Sequence, residues 1–361
     1  MKKHLSILIV SLVVSLGLIP VASQATTMAI DQFENTTNSG AIFSVPIPHG
    51  GLAMINYSAG DNNSERYIKL FVNYAGFGKW QELTKHDITA TPATVLDLKR
   101  FSDKMYVLLS VGVNGQNIEL WEGNINAASV WKKISTIDGG YYGKAVLTRY
   151  QGKIQVYSSN VDNTLSHWML KKDVLQEQSV TTPYTNESIV LPIAITPFKN
   201  TLNIVLQVNN DYQLVTSTDG KLFTTASSFP AAQDNEVFTV LAKSNKQLLL
   251  GTTNSTATTV WATADLATWN KTGSFAWTDT KSYDVDVLAK NGAKPVLLLT
   301  EYNSANLANL STALYQYTDS TWNKAMAWEQ VGRGNTVLHL NHKFQVLLNT
   351  NNGSEAVTVK F

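Results

Sequence analysis

Short apolar runs, each ended by a polar turn, follow one another along the chain, and one of them returns at nearly constant spacing. It reads Lys-x-x-apolar-apolar: KMYVL from Lys104, KIQVY from Lys153, KQLLL from Lys246, KPVLL from Lys294 and KFQVL from Lys343. TLNIV from Thr201 and GLAMI from Gly51 fit the same frame without the lysine. Taking the fourth residue as an anchor gives Met54, Val107, Val156, Ile204, Leu249, Leu297 and Val346, with gaps of 53, 49, 48, 45, 48 and 49 residues. Runs of this length, rich in β-branched residues and bounded by turn residues, are strands. Several short strands repeated at a period near 48 residues predict an all-β β-propeller, each unit being one blade.

Each unit divides into four strands, A to D. Strand A is a run such as TVLDL at Thr94, KAVLT at Lys144, LPIAI at Leu191, FTVLA at Phe238, DVDVL at Asp284 or TVLHL at Thr336. A tight turn (Ser102-Asp103, Gln151-Gly152, Lys199-Asn200, Asn291-Gly292) leads into strand B with its anchor. Such residues accept positive φ and close hairpins. A polar tip bearing Asn follows in every unit, for example Asn114-Gly115, Asp162-Asn163 and Asn209-Asn210. Strand C usually carries an aromatic (Phe71, Trp121, Trp168, Trp261, Tyr315), and strand D begins near another (Trp80, Trp131, Phe223, Trp269, Trp322).

The seventh unit ends at Phe361 within strand C. MAIDQFE from Met28 precedes Met54 by 26 residues, much as Trp80 precedes Val107 by 27, so the N-terminal strand is expected to supply the missing strand D. Such closure leaves no long bare sheet edge. Six or eight blades fit if one unit is irregular; seven is the expectation. A parallel β-helix has coils much shorter than this period.

The first 25 residues read as a secretory signal peptide: Lys2 and Lys3, an apolar run from Leu5 to about Leu18, then a Ser23-x-Ala25 cleavage site. The expected organisation is a signal peptide over 1–25 and a single propeller domain over 26–361, exported by a bacterial cell to the periplasm or beyond it. The absence of cysteine rules out a lipid-anchored lipoprotein and a disulfide framework. With 28 basic against 27 acidic residues and no basic run, neither nucleic acid nor an anionic membrane is expected as the main partner. No segment after the leader is apolar for long enough to span a bilayer, and a monomer is expected.

Three C-to-D turns carry a related pattern: Ser217-Thr218-Asp219-Gly220-Lys221-Leu222-Phe223, Thr263-Ala264-Asp265-Leu266-Ala267-Thr268-Trp269, and Thr318-Asp319-Ser320-Thr321-Trp322. These resemble the Asp-box of sialidase-like propellers, Ser/Thr-x-Asp-x-Gly-x-Thr-Trp, in degenerate form. The box at Ser217 is one residue short and that at Thr263 lacks the Gly. The resemblance implies a structural turn away from the active face. It implies no sialidase, which would need three arginines clamping a carboxylate, a Tyr–Glu nucleophile pair and an Asp acid. The chain has four arginines, Arg66, Arg100, Arg149 and Arg333, and no Arg-Ile-Pro motif. Arg100 and Arg149 belong to the end that carries the boxes.

Candidate chemistry gathers in the D-to-A connections and Asn-bearing tips of the other end. These hold Tyr141, Tyr142, Tyr184, Glu187, Asp234, Glu236, Trp277, Asp279, Tyr283 and Arg333. Aromatic rings beside amides and carboxylates suit a carbohydrate, whose C–H faces stack on rings while its hydroxyls pair with polar groups. Asp284 and Asp286, two apart, share one face of a strand A; such a pair is a candidate for Ca²⁺ or acid–base work. No other cofactor is implied. The leading expectation is a secreted binding module for a glycan or protein ligand, with no catalytic residues. A glycoside-active hydrolase using channel carboxylates such as Asp284, Asp286 or Glu236, and an envelope scaffold without a small ligand, are the alternatives.

Overall fold

The computed structural model describes residues 26–361 apart from positions 35–38, 49, 59–65, 75–78, 84–92, 113–116, 139–143, 161, 185–188, 227–228, 231–236, 244–245, 255, 277–280, 289–293, 304–308, 330–334, 341–342 and 351–352; at several strand positions, 281–288 among them, it describes the backbone alone. A leading strand, β1 (Thr26–Glu34), precedes six complete blades. Blade I is β2 (Ser39–Ile47), β3 (Gly50–Ser58), β4 (Arg66–Asn73) and β5 (Gln81–Glu82). Blade II is β6 (Ala93–Phe101), β7 (Lys104–Val111), β8 (Asn117–Asn124) and β9 (Ala127–Asp138). Blade III is β10 (Ala145–Tyr150), β11 (Lys153–Ser159), β12 (Leu165–Lys171) and β13 (Val174–Gln178). Blade IV is β14 (Val190–Phe198), β15 (Thr201–Val208), β16 (Asp211–Ser217) and β17 (Thr224–Thr225). Blade V is β18 (Val237–Lys243), β19 (Leu248–Thr253), β20 (Ala257–Thr263) and β21 (Asn270–Ala276). Blade VI is β22 (Lys281–Leu288), β23 (Val296–Asn303), β24 (Asn309–Thr318) and β25 (Thr321–Glu329). Blade VII is β26 (Thr336–Leu340), β27 (Lys343–Thr350) and β28 (Gly353–Lys360), completed by β1.

The molecule is a seven-bladed β-propeller of four-stranded antiparallel sheets. The first strands of successive blades touch in order (β2 to β6, β10, β14, β18, β22, β26 and back to β2), so the seven line a ring around the central channel. β1 pairs antiparallel with β28 from Thr26↔Lys360 to Glu34↔Ser354, and this pairing shuts the ring. The expected closure by the N-terminal strand is observed.

The core has seven parts, one at each junction between blades. Between I and II, Leu52, Met54 and Leu70 meet Val107, Leu109 and Trp131. Between II and III, Leu108 and Leu120 meet Leu147 and Val156. Tyr157 and Val146 meet Ile204 and Phe223 between III and IV. Similar clusters join IV to V, V to VI, VI to VII and VII to I. All seven anchors are fully or almost fully buried in the second strand of their blade, the outcome the repeat predicts. Burying one such side chain stabilises the fold by about 1.5–3 kcal/mol.

The frame of the repeat needs correcting in two blades. Val107, Val156, Ile204, Leu297 and Val346 face the preceding blade, whereas Met54 packs toward blade II and Leu249 toward blade VI, the following ones. Side chains on a strand alternate between faces, so a slip of one residue reverses the side. The equivalents are Ala53 and Leu250. The strand-C aromatics mark the true frame, since Phe71 lies opposite Ala53, Trp121 opposite Val107, Trp168 opposite Val156, Trp261 opposite Leu250 and Tyr315 opposite Leu297.

Turn chemistry follows the sequence closely. The A-to-B turns place Ser102 at φ 59°, Gln151 and Gly152 at 48° and 77°, and Lys199 and Asn200 at 48° and 62°. Two of the three Asp-box candidates form the box. In the first, Asp219 Oδ1 accepts from the amides of Lys221 (2.8 Å) and Leu222 (3.0 Å), and Ser217 Oγ accepts from Gly220 N at 2.9 Å. In the second, Asp265 Oδ1 accepts from Ala267 N (2.9 Å) and Thr268 N (2.8 Å), while Thr263 Oγ1 accepts from Leu266 N at 2.9 Å. Those amides hold both carboxyls below the usual carboxylate range. The third candidate is corrected: Thr318 pairs directly with Thr321, and Asp319 and Ser320 make a two-residue hairpin turn with φ of 52° and 63°. The stretch is too short for the box, and positive φ at both central residues matches the twist of a hairpin.

Gly220 has φ 73°, and a Cβ there would lie 3.0 Å from both Gln155 Oε1 and Tyr157 Oη. Gly220→Ala is therefore expected to lower unfolding stability by about 1–3 kcal/mol, read by denaturant titration. Removal of residues 26–34 is expected to lower the melting temperature by about 10 °C or more and to cause aggregation on heating through the bared edge of β28, read by scanning calorimetry and light scattering.

Candidate functional site

Antiparallel strands give the ring two unlike ends. The A-to-B and C-to-D turns share one, shown where Tyr150 Oη, closing β10, donates to the carbonyls of Asn200 (2.7 Å) and Thr218 (2.9 Å). The B-to-C tips and D-to-A connections share the other, where Asn209 Oδ1 accepts from Ile189 N at 3.0 Å and Asn163 O accepts from Val190 N. The sequence-based site belongs to this second end.

Of its residues, Tyr141, Tyr142, Glu187, Glu236, Trp277 and Arg333 lie outside the described residues, as do Asp234 and Asp279. Tyr283, Asp284 and Asp286 fall in β22, where the backbone pairs them with Glu301, Thr300 and Leu298. Tyr184 is described in full. It is half-buried, packed with Val180, Ile195 and Val208 against the core between blades III and IV. Burial raises its phenol pKa above the ordinary value.

Two asparagines of the tips, Asn160 and Asn254, build their turns. Asn160 Oδ1 accepts from Asp162 N and Thr164 N, both at 3.0 Å, while its Nδ2 donates to Thr164 Oγ1 at 2.8 Å and Ser166 Oγ at 3.2 Å. Asn254 Oδ1 accepts from Thr256 N and Ala257 N at 2.9 Å. These are Asx turns, in which the side chain replaces a backbone acceptor. Asn160 and Asn254 are thus explained by their hairpins.

Beside the Asn160 turn opens a cleft of about 430 Å³. Asn160, Thr164 and Ser166 form one wall, and Glu177, Gln178 and Ser179, at the end of β13, form the other. Glu177 and Ser179 are exposed. The Gln178 amide donates to the carbonyls of Gln176 (3.1 Å) and Glu177 (2.7 Å), which fixes that lip. Among the described residues the cleft's lining offers hydroxyls, two side-chain amides and one carboxylate. Glu177 and its neighbours were not singled out by sequence, since they sit in an ordinary strand end; the Asn160-to-Thr164 turn beside them was the only signal. A second cleft, of about 550 Å³, opens at the opposite end among Arg149, Gln151, Lys199, Asn200 and Lys243.

Among the described residues no three His, Cys, Asp or Glu side chains come together as a metal site. No helix among them is long and apolar enough to cross a membrane. His167 is buried in the core between blades III and IV, stacked on Tyr157 with ring centroids 4.5 Å apart and planes 4° apart. Neither ring nitrogen has a hydrogen-bond partner. Burial, with Lys221 adding to it and Asp219 opposing, lowers its pKa from 6.5 to about 4.

No family model matches the chain, and no curated protein matches it. Solved structures do. The S. cerevisiae core factor aligns over 94% of this chain and 61% of its own, with TM-score 0.53 and 10% identity. SapL1 lectin in complex with alpha methyl fucoside aligns over 81% of this chain and 96% of its own, with TM-score 0.50 and 13% identity. Trypanosoma rangeli sialidase in complex with sialic acid aligns over 94% and 59%, with TM-score 0.47 and 14% identity. The chain spans about three-fifths of the length of the core-factor and sialidase chains. At these identities the likenesses with TM-scores of 0.53 and 0.50 bear on the fold alone.

The unprotonated state of His167 gives a pH dependence. The folded pKa is depressed, so the unfolded chain binds the extra proton between pH 6.5 and 4, and stability falls as pH drops through that window. The loss is expected to reach about 3 kcal/mol near pH 4. His167→Phe should remove this part of the acid limb, checked by urea titrations at pH 7.5 and 4.5.

Proposed function

We propose that the protein is an exported, non-catalytic propeller that binds a glycan through the end bearing the B-to-C tips and D-to-A connections. The observation that carries this reading is the cleft at the end of blade III, whose lining offers hydroxyls, two side-chain amides and one carboxylate, Glu177. Glycoside hydrolysis needs two carboxyls roughly 5–10 Å apart, so a cleft with one favours binding over cleavage. Sugar hydroxyls find donors and acceptors there, and Tyr142 and Trp277, which the sequence assigns to D-to-A connections, are the candidate stacking rings. The lectin of like fold adds that a propeller can hold a sugar; it says nothing of which sugar this chain takes.

Export rests on the leader over residues 1–25, with its apolar run and Ser23-x-Ala25 site. The test is a glycan array with the chain over 26–361, with and without Ca²⁺, followed by titration calorimetry on any hit. The expected result is a defined glycan hit, weakened about tenfold or more by Glu177→Ala with Ser179→Ala, and likewise by Trp277→Ala. A blank array under both conditions rejects the glycan reading.

A further inference from the structure

The lysine that opens the repeated Lys-x-x-apolar-apolar run has no part in the core, yet it returns in five units. The fold shows what its recurrence does. Lys104, Lys153, Lys246, Lys294 and Lys343 each stand at, or within two residues of, the start of a second strand, so all five lie at the A-to-B end of the ring. Arg100, Arg149, Lys199 and Lys243 close first strands, or follow them directly, at that same end. Among the described residues of the A-to-B turns Asp103 is the one acid, and Asp173, Asp219, Asp265 and Asp319 in the C-to-D turns of that end are fewer than the nine cations. A chain with nearly balanced charge therefore presents a cationic end.

The cleft of about 550 Å³ lies within it and spans three blades. Arg149 comes from blade III, Lys199 from blade IV and Lys243 from blade V, and all three are exposed. Arg149 Nη1 donates to Ser102 Oγ at 2.8 Å, which leaves the rest of its guanidinium fork open. The Lys199 amine stands 5.9 Å from the centre of the Phe198 ring at the cleft's base. The carboxylates of the Asp-boxes are already engaged. Asp265, close enough to feel the charge of Lys199, already accepts two backbone amides, and so does Asp219. Gln151 and Asn200 add two side-chain amides between the cations, although the Gln151 amide also donates to Thr218 O at 2.8 Å.

We propose that this cleft docks an acidic polypeptide segment of a partner protein. Three cations held on separate blades complement a row of carboxylates, the Asn200 amide suits a peptide backbone, and Pro197 and Phe198 in the lining offer contact to a small apolar side chain. A uniformly polar polyanion would use the cations and leave the apolar base unused. The site is at the opposite end from the proposed glycan cleft and stands independently of it.

Fluorescence anisotropy with a labelled decaglutamate peptide tests this on the chain over 26–361. Binding is expected at low ionic strength and is weakened at least about tenfold by Lys199→Gln with Lys243→Gln, and about as much by raising salt from 50 to 300 mM. Both lysines are exposed, so the double variant is expected to melt as the parent does, and Glu177→Ala should leave peptide binding unchanged. No binding, or equal binding by the double variant, overturns the proposal. A sulfated polysaccharide that binds the same lysines more tightly than the peptide overturns the polypeptide assignment.

Discussion

Each blade of this ring must bury both faces of its sheet against its neighbours. A four-stranded sheet with only one covered face would expose the other, and a row of such sheets has two unprotected ends unless it closes. Everything else in the structure answers to that condition. The core is divided among seven junctions because no single interior exists, and strand β1 is borrowed from the start of the chain because the last blade would otherwise be one strand short. The turns serve the same end. Arg100 Nη1 reaches the carbonyl of Pro46 in the blade before it, and Tyr157 Oη donates to the carbonyl of Gly220 in the blade after it.

The same condition decides what could be read from sequence. A strand covered on one face alternates apolar and polar residues and so announces its register. Here LAMI and LLL are apolar at every step, and the frame slipped by one residue at Met54 and Leu249 without violating the pattern. The aromatics of strand C were better markers, because a large ring fits only one side of the junction. Phe71 and Trp261 pair with Ala53 and Leu250, and either pairing would have revealed the slip. Strand order, blade number and closure were legible, since they depend on spacing and turn residues rather than on which face a side chain takes.

The candidate site was less legible for a related reason. Turn residues carry a local signal, and that signal explains Asn160 and Asn254 by their Asx turns before any ligand is invoked. The lip of Glu177, Gln178 and Ser179 has no such signature. It becomes a cleft only because the B-to-C tip of the same blade stands beside it. The third Asp-box candidate shows the opposite error, in which the right residue types stand too close together and the hairpin between Thr318 and Thr321 takes them instead.

Charge shows how a repeat converts a one-dimensional pattern into a surface. Along the sequence, basic residues are scattered at intervals near 48 and no run forms, so composition alone argues against any cationic patch. A ring of antiparallel blades brings every residue of equal phase to one end. A lysine once per period is then a lysine once per blade, on the same rim. Local burial does not select it, because Lys153 is exposed, while Lys104 makes a close ion pair in its own blade, with Glu122 at 2.7 Å. Exposed cations of one sign repel one another by small amounts at physiological salt. A rim that keeps them together is a field directed outward, and its effect falls on whatever approaches that end.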